Sequence, residues 1–323
     1  MNRPILRAGG ALLVALHCAC GYALAQGFPG KPVRLIVPAA AGGPTDVVAR
    51  TLAPKLGEHL GQALIVDNRG GAGGVVGTEA LAKAPADGYT LAIVFISHAT
   101  NPTLYAKLPY DTLKDFAAIG MVGHQTTVLV VHPSVPAKSV GDLVALAKAR
   151  PGALSYAADT ASAAHLAGEL FRYMSGTSIV HVAFKGNGPA LVDTLAGHVP
   201  FMFNAIVTSL PHVKAGRLRA LAVSSTQRSQ LAPDLPTVSE SGLRGFEVTA
   251  WYGMVAPART PAEVMRKLSA EVGRTLRLPE LRERLSAQGV ELTPGTPEQF
   301  DLFVRGEISK WEKVLTAAGI RAQ

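Results

Sequence analysis

Cysteine is nearly absent from this sequence. Its 323 residues include two cysteines, Cys18 and Cys20, and both lie within residues 1–25, a segment expected to be removed. A chain of this length buries enough apolar surface to fold without disulfides, and a cysteine-free protein is compatible with an oxidising compartment. We therefore expect neither a disulfide framework nor a thiolate site in the mature chain.

Aromatic and charged residues are also scarce, and the charges are not clustered. Aromatic side chains make up 6% of the residues and charged ones 17%, against 48% hydrophobic residues, a composition typical of a globular protein. Lys and Arg exceed Asp and Glu by 31 − 23 = 8, but they form no basic block. Because nucleic-acid surfaces concentrate basic residues, no nucleic-acid partner is expected. A mild positive field instead favours small anions.

The first 25 residues are typical of an export signal. Arg3 and Arg7 precede an apolar run at residues 11–16, and the Ala-Leu-Ala of residues 23–25 suits cleavage. The apolar run is too short to cross a bilayer comfortably. We expect residues 1–25 to be removed, which leaves a soluble exported chain with a charge of 8 − 2 = +6.

Strand-like and helix-like patterns alternate through the rest of the chain. Three short apolar runs, each followed by a turn and the first two also by a helical pattern, occupy residues 33–37, 64–67 and 90–96. This β-α-β-α-β order favours a parallel sheet with right-handed crossovers, so the fold class is α/β. Prolines at 102 and 109 interrupt residues 97–111, which are predicted to be a loop.

A second alternating set predicts a second lobe. It runs from about residue 139 to residue 224, and segments near residues 126–132 and 249–255 are predicted to cross between the two sets. We assign residues 28–127 and 250–323 to lobe 1 and residues 128–249 to lobe 2. Two crossings make a hinge, and a cleft between two lobes is a common ligand site.

The first strand-to-helix turn is predicted to attract an anion. The strand at 33–37 ends at Pro38, and Gly42-Gly43-Pro44 forms a loop before Thr45 or Asp46 caps a helix that begins at Val47. The amides at a helix N-terminus lack partners within the helix, and the helix dipole favours negative charge there. We expect this loop to hold a carboxylate.

Other kinds of site are less well supported. The glycines at 71, 73 and 77 miss the dinucleotide fingerprint by one residue, and no acidic residue ends the next strand. The histidines are dispersed without metal-ligand spacing, so neither a metal nor a cofactor is expected. No serine motif of the hydrolase type occurs. Binding is therefore favoured over catalysis.

Eight motifs, in order, resemble one known family. They are Pro38-x-x-x-Gly42-Gly43-Pro44-Thr45-Asp46, Asn68-Arg69-x-Gly71-Ala72-Gly73-Gly74, Leu108-Pro109-Tyr110-Asp111, His165-Leu166-Ala167-Gly168-Glu169, His181-Val182-Ala183-Phe184-Lys185-Gly186, Leu221-Ala222-Val223 with Arg228, Leu235-Pro236-Thr237-Val238 and Trp251-Tyr252-Gly253. Together they resemble the receptors of tripartite tricarboxylate transporters, also called Bug proteins, of bacterial periplasms. The resemblance covers nearly the whole mature chain.

The resemblance implies a two-lobe type II periplasmic binding-protein fold with a ligand cleft between the lobes. Family ligands are mostly small carboxylates, including di- and tricarboxylates, acidic amino acids and aromatic acids, and the receptors deliver them to membrane components of the transporter. The family's binding loops correspond here to residues 40–46 and 158–162, with further contacts at 97–101 and at residue 204. The implied ligand-binding residues are Ala40, Gly42, Gly43, Thr45, Asp46, Ser97, Ala158, Asp159, Thr160, Ser162 and Asn204.

One loop departs from the family pattern. The family usually has a Ser-x-Gly-x-Gly-Ser type of run before the His-Leu helix, whereas this chain has Ala-Asp-Thr-Ala-Ser at residues 158–162. If Asp159 faces the cleft, it repels a second carboxylate and favours an ammonium or hydroxyl group. If it points to solvent or caps the helix, it leaves ligand choice unchanged. Both interpretations are open at this point.

The sequence thus predicts a periplasmic receptor, expected to be a monomer and not an enzyme, that binds a small carboxylate for a tripartite tricarboxylate-type transporter. Two alternatives stay open. The closed form could instead be presented to a membrane signalling partner, or the chain could be an exported enzyme acting on a small acid. The identity of the ligand is not predicted, because backbone amides recognise a carboxylate whatever carries it.

Overall fold

A computed structural model describes residues 27–160, 162–184, 186–317 and 319–320. The predicted leader, residues 1–25, lies outside the described residues, as do both cysteines. The described strands are β1 (Val33–Val37), β2 (Leu64–Asn68), β3 (Thr90–Phe95), β4 (Phe116–Val131), β5 (Ser155–Asp159), β6 (Val180–Phe184), β7 (Phe201–Ala205), β8 (Arg219–Val223), β9 (Thr249–Pro257) and β10 (Val290–Leu292).

The described α-helices are α1 (Pro44–Leu60), α2 (Val75–Ala82), α3 (Ser97–Leu104), α4 (Val140–Ala149), α5 (Ala163–Ser175), α6 (Asn187–Leu195), α7 (Ile206–Lys214), α8 (Ala262–Leu276), α9 (Pro279–Ser286) and α10 (Pro297–Ala317). A single 3-10 turn, Ala72–Gly74, precedes α2. No helix within the described ranges is both long enough and apolar enough to cross a membrane.

The first part of the sheet has the predicted parallel order. Strand β1 lies between β2 and β3 and runs parallel to both, with Leu35 paired to Val66 on one side and to Leu91 on the other. Helices α1, α8 and α9 cover one face, where Val48, Leu52 and Leu268 are buried. The β-α-β-α-β interpretation of this segment is confirmed.

The second part of the sheet is built in the same way around β5. This strand pairs parallel with both β6 and β7, and α5, α6 and α7 follow the three strands in turn. Strands β7 and β8 both pair antiparallel with β4, which continues the sheet toward the first part. The alternation predicted from residue 139 onward is therefore confirmed as a second α/β unit.

Strands β4 and β9 connect the two parts. They pair antiparallel along most of their lengths, from Phe116 with Pro257 to Thr126 with Thr249, while β3 pairs with the other side of β9. Beyond Thr126, β4 pairs with β7 and β8 instead. The two segments predicted to cross between the sets are thus adjacent hydrogen-bonded strands. The division at residues 127 and 249 stays a prediction.

Helix α10 is anchored to β9 through a buried carboxylate. Glu307 on α10 is buried, and its Oε2 accepts hydrogen bonds from Trp251 Nε1 at 3.2 Å and from Trp311 Nε1 at 3.0 Å. Lys310 pairs with the other carboxylate oxygen and donates to the carbonyl of Glu247. A buried carboxylate needs such partners to offset its lost hydration, so α10 is held against the strand that connects the two parts.

The predicted loop at residues 97–111 is partly wrong, because residues 97–104 form α3 despite Pro102. Ser97, His98, Ala99, Thr100 and Asn101 are all buried, and α3 packs against α10. Proline in a helix interior removes one hydrogen bond, but here it lies near the end of a two-turn helix. Burial of the preceding turn outweighs that cost.

Candidate functional site

A cavity of about 790 Å³ lies where the N-terminal ends of five helices converge. The lining residues from these ends are Pro44 and Thr45 of α1, Ser97 of α3, Ala163 and Ala164 of α5, Asn187 and Gly188 of α6, and Ala205, which precedes α7. Each helix N-terminus presents amides without intrahelical partners and the positive end of a dipole. Together they make the cavity favourable for negative charge.

Asp46 holds the glycine loop on the α1 side. Its Oδ2 accepts hydrogen bonds from the Gly42 amide at 2.8 Å and from Arg50 Nε at 2.9 Å. Its Oδ1 accepts from Asn68 Nδ2 at 2.9 Å, and the same amide group contacts the carbonyl oxygen of Ala39 at 3.3 Å. The side chain is thus fully used in joining the loop, α1 and the end of β2.

Helix α1 begins three residues earlier than predicted. The prediction that Thr45 or Asp46 caps a helix beginning at Val47 is wrong: the helix begins at Pro44, and Gly43 is its N-cap with extended φ and ψ of −76° and 168°. Proline suits the first helical position because its missing N–H would lack a partner there. Asp46, on the third helical position, reaches back to the Gly42 amide before the cap, as in one half of a capping box.

The surroundings of Asp46 determine its charge. Burial raises the pKa of its carboxyl group, but hydrogen bonds from Gly42, Arg50 and Asn68 and the positive charge of Arg50 outweigh that effect and lower its pKa. Hydrogen bonds to a carboxylate favour the ionised form. Asp46 is therefore a structural anion, and the Gly42 amide that it binds is already satisfied within the loop.

The turn after β5 faces the cavity from the second part of the sheet. Asp159, Thr160 and Ser162 all line it. Ser162 is the N-cap of α5, as the sequence predicts, and its Oγ accepts a hydrogen bond from the His165 amide at 3.3 Å. The carbonyl of Asp159 accepts from the Ser162 amide at 3.1 Å, and the Asp159 amide donates to Asn187 Oδ1 at 3.4 Å.

Two histidine rings in contact, tilted by 35°, lie next to this turn. The ring centroids of His165 and His181 lie 4.1 Å apart, and His181 Nε2 is 3.1 Å from the carbonyl oxygen of Ala158. Burial, with a smaller contribution from His181, lowers the pKa of His165 to about 4. His165 is therefore uncharged near neutral pH, and His165 and His181 pack behind the turn.

The residues implied by the family resemblance fall into three groups. Thr45, Ser97, Asp159, Thr160 and Ser162 line the main cavity. Gly42 and Asn204 line an adjoining cavity of about 400 Å³, which shares several lining residues with the first. The residues that line neither cavity are Ala40, Gly43, Asp46 and Ala158.

Asn204 is held within its own segment. It is buried, and its Nδ2 lies 3.0 Å from both Thr208 Oγ1 and Ser209 Oγ, so it joins the end of β7 to the first turns of α7. These two bonds use both donors of the amide group. The side-chain oxygen is the part of Asn204 left to accept a hydrogen bond from outside this segment.

Several lining residues were not among those predicted. Gln125 and Tyr252 line both cavities, while Thr127 and Tyr105 line the main one. Burial raises the pKa of the Tyr252 hydroxyl, which therefore stays protonated and can donate a hydrogen bond. Gln125 and Tyr252 come from the connecting strands β4 and β9, so their position depends on a strand pairing that no local pattern predicts.

The lining is mainly apolar, with a few polar groups and almost no charge. Among the described residues, Asp159 is the single lining side chain of either cavity that carries a formal charge at neutral pH; the other polar groups are hydroxyls and amides. Nor do three His, Cys, Asp or Glu side chains come together as a metal site would need, anywhere in the described ranges. An anion in this cavity is therefore met by neutral donors and helix ends.

Comparison with known proteins identifies the family. Residues 48–320 match the model of the tripartite tricarboxylate transporter family receptor. This chain belongs to that family. It is 37% identical to Protein BugT of Bordetella pertussis over 324 aligned positions, which cover 99% of each chain. The resemblance seen in the eight motifs is thereby confirmed.

Solved structures of relatives confirm the fold class. The R. palustris protein Rpa4515 with adipate is 37% identical, covers 92% of this chain and all of its own, and superposes with a TM-score of 0.78. MatC (Rpa3494) from Rhodopseudomonas palustris with bound malate is 32% identical, covers 89% of this chain and 100% of its own, and has a TM-score of 0.74. The fold is the two-lobe type II periplasmic binding-protein fold.

Proposed function

We propose that this protein is a periplasmic receptor that binds one small carboxylate in the main cavity and delivers it to the membrane components of a tripartite tricarboxylate-type transporter. The observation that supports this most is the convergence of five helix N-termini on a cavity without a cationic side chain among its described lining residues. Backbone amides at helix ends bind carboxylates without needing a counter-charge. Adipate and malate, named with two relatives, are both small carboxylates.

On the α1 side, Thr45 is the proposed anchor. The amides of Thr45 and Asp46 lie in the first turn of α1, where a helix leaves N–H groups without internal partners. Thr45 is buried at the cavity wall, and its hydroxyl has no hydrogen-bond partner among the described residues. A carboxylate at this point would accept bonds from these amides and from the Thr45 hydroxyl.

A ligand that contacts both lobes would stabilise a closed state of the protein. We propose that residues 28–127 with 250–323 and residues 128–249 move relative to each other about β4 and β9, as one monomer. A ligand that touches the α1 turn and the β5–α5 turn gains its full set of contacts in the closed state alone. Differential affinity of this kind shifts the population toward closure. The predicted export signal supports a periplasmic location, and we propose that the ligand leaves chemically unchanged.

The test is a binding screen on the chain without residues 1–25. Thermal unfolding is followed with di- and tricarboxylates, amino acids and aromatic acids, because a ligand that binds the folded state alone raises the melting temperature. Affinities of the compounds that raise it are then measured by calorimetry, and each compound is recovered and analysed. A screen in which no carboxylate raises the melting temperature refutes the proposal, and chemical conversion of a bound compound would establish an enzyme instead.

A matched pair of variants tests the Thr45 anchor. Thr45→Val keeps the β-branched shape but removes the hydroxyl, so the affinity for a carboxylate should fall about tenfold. Thr51→Val is the control: it makes the same change on the same helix, at a residue that lines neither cavity and whose Oγ1 donates to the carbonyl of Val47 at 2.7 Å. Equal affinities in the two variants would place the carboxylate elsewhere.

A further inference from the structure

Asp159 is a charged group in a cavity that otherwise favours anions. It is half-buried at the end of β5, and neither a hydrogen-bond partner nor an ion-pair partner for its carboxylate occurs among the described residues. Its backbone, in contrast, is engaged on both sides by Ser162 and Asn187. The backbone of Asp159 is therefore fixed, and its carboxylate is available to contact a ligand in the cavity.

The helix-cap interpretation of Asp159 does not fit this geometry. Ser162 Oγ already accepts from the His165 amide, and Ser162 is the residue at the N-cap of α5. Asp159 lies three residues before that cap, and its contribution to the turn is its carbonyl oxygen, which accepts from the Ser162 amide. Because Asp159 lines the main cavity, a role for its side chain is sought there.

We propose that the natural ligand carries an ammonium group that pairs with Asp159, in addition to the carboxylate bound at α1. This inference rests on the proposed function and specifies its ligand class: a small amino acid in the general sense, with its carboxylate at the α1 turn and its ammonium group at the β5–α5 turn. An ionised carboxylate accepts hydrogen bonds but cannot donate them, whereas an ammonium group has three donors. A second ligand carboxylate beside Asp159 would instead be repelled.

The rest of the lining is consistent with a ligand that carries one anionic and one cationic group. The α1 end supplies helix amides and the Thr45 hydroxyl, and no acidic side chain lines it among the described residues; Asp46 lies behind the loop with its own partners. At the β5–α5 turn Asp159 is accompanied by Thr160 and by Asn187, whose side-chain oxygen accepts from the Asp159 amide and can accept a second hydrogen bond. A zwitterion therefore finds amide and hydroxyl donors at the α1 turn and, in Asp159, one anionic acceptor at the β5–α5 turn.

The experiment compares ligands of equal carbon number that differ at one end. Succinate is paired with γ-aminobutyrate, and adipate with ε-aminocaproate, and the affinity of each is measured by calorimetry near neutral pH. In the wild-type protein, at least one amino acid should bind tighter than its paired diacid on the order of tenfold or more. In Asp159→Asn that preference should disappear, because the charge is lost while the shape is kept.

Asp234→Asn is the control, since Asp234 is exposed, lines neither cavity and gives the same change in net charge. It should keep the wild-type preference. Diacids that bind as tightly as the amino acids, or a preference that survives in Asp159→Asn, would overturn the inference and leave the carboxylate receptor standing. Failure of all four compounds together with every acid in the wider screen would overturn the proposed function itself.

Discussion

Two aspartates occupy comparable places in the two parts of the molecule, and they are used in opposite ways. Asp46 follows β1 in the turn that begins α1, and Asp159 ends β5 in the turn that begins α5. Asp46 is buried and accepts three hydrogen bonds, whereas Asp159 is half-buried and its carboxylate has no partner in the described part of the chain. Asp46 thus holds together the loop on one side of the cavity, whereas Asp159 lines the cavity from the other side.

Folding stability and ligand selectivity are expected to depend on different aspartates. A polar group that is buried with all its partners rigidifies its surroundings, and removing it leaves those partners unsatisfied. A polar group that faces a cavity without partners contributes little to folding but meets the ligand directly. We therefore expect substitutions at Asp46 to act mainly on the free energy of unfolding and substitutions at Asp159 mainly on binding.

The largest expected effect is on stability at Asp46. Asp46→Ala removes the acceptor for the Gly42 amide, for Asn68 and for Arg50, and the free energy of unfolding should fall by about 2 kcal/mol. Arg50 is largely exposed and recovers water, which limits the loss. Urea denaturation measures the effect.

Asp159→Ala is the comparison variant, and its free energy of unfolding should lie within about 0.5 kcal/mol of the wild type. If both alanine variants unfold at the same urea concentration as the wild type, Asp46 does not hold the loop. If Asp159→Ala is the less stable of the two, the contrast between the turns is reversed.

A smaller effect is expected from the backbone of the same loop. Gly42 has a φ of 79°, in the left-handed region, and the space that a Cβ would occupy there is open, so Gly42→Ala meets strain but no clash. The cost of that conformation for an L-residue is about 1 kcal/mol. Because the Gly42 amide binds Asp46, the double variant Gly42→Ala/Asp46→Ala should lose less than the sum of the two single losses.

Gly43→Ala serves as the control for the loop. Its φ of −76° suits any residue, although the added methyl would lie 3.3 Å from the carbonyl oxygen of Ala40. Its stability should fall less than that of Gly42→Ala, as measured in the same denaturation series. Strict additivity of the Gly42 and Asp46 variants would contradict a shared role in closing the loop.

Much of the fold could be predicted from the sequence, because most elements are marked by local signals. Strand β1 was predicted at its full extent, Val33–Val37, from an apolar run that ends at proline, and α5 was predicted from its serine cap to within a residue. The part of β4 before residue 126 is not predicted, because Ala117, Gly120 and Gly123 are poor strand formers. It is a strand because β9 pairs with it over a long stretch.

The positions of several candidate site residues could be predicted in the same way, while their role in binding stays a prediction. Turns at the carboxyl ends of strands were expected to converge, and five of the implied residues do line the main cavity. What no local pattern could predict is how Asp46 would be used, because that depends on Asn68, 22 residues further along the chain. Gln125 and Tyr252 were missed for the same reason, since strand pairing places them.

The smallest effect separates the charge of Asp46 from its shape. Its pKa is lowered in the folded state by its hydrogen bonds and by Arg50, against the opposing effect of burial. A carboxyl group whose folded pKa lies below its unfolded value, about 3.9, gives stability that is fully present above that value and is lost as the pH falls through the folded pKa. The stability advantage of the wild type over Asp46→Asn should therefore be largest near neutral pH and shrink below a pH of about 4.

Urea denaturation of both proteins across this pH range measures the shrinkage. Thr51→Val, which removes no titrating group, should differ from the wild type by a constant amount throughout. A wild-type advantage over Asp46→Asn that is equally constant would mean that the neutral amide fails through geometry alone, and that the negative charge of Asp46 contributes nothing to the loop. If the stability advantage of the wild type shrinks at low pH, the negative charge of Asp46 stabilises the loop before α1. The charge of Asp159 is then the one available to a ligand among the described lining residues.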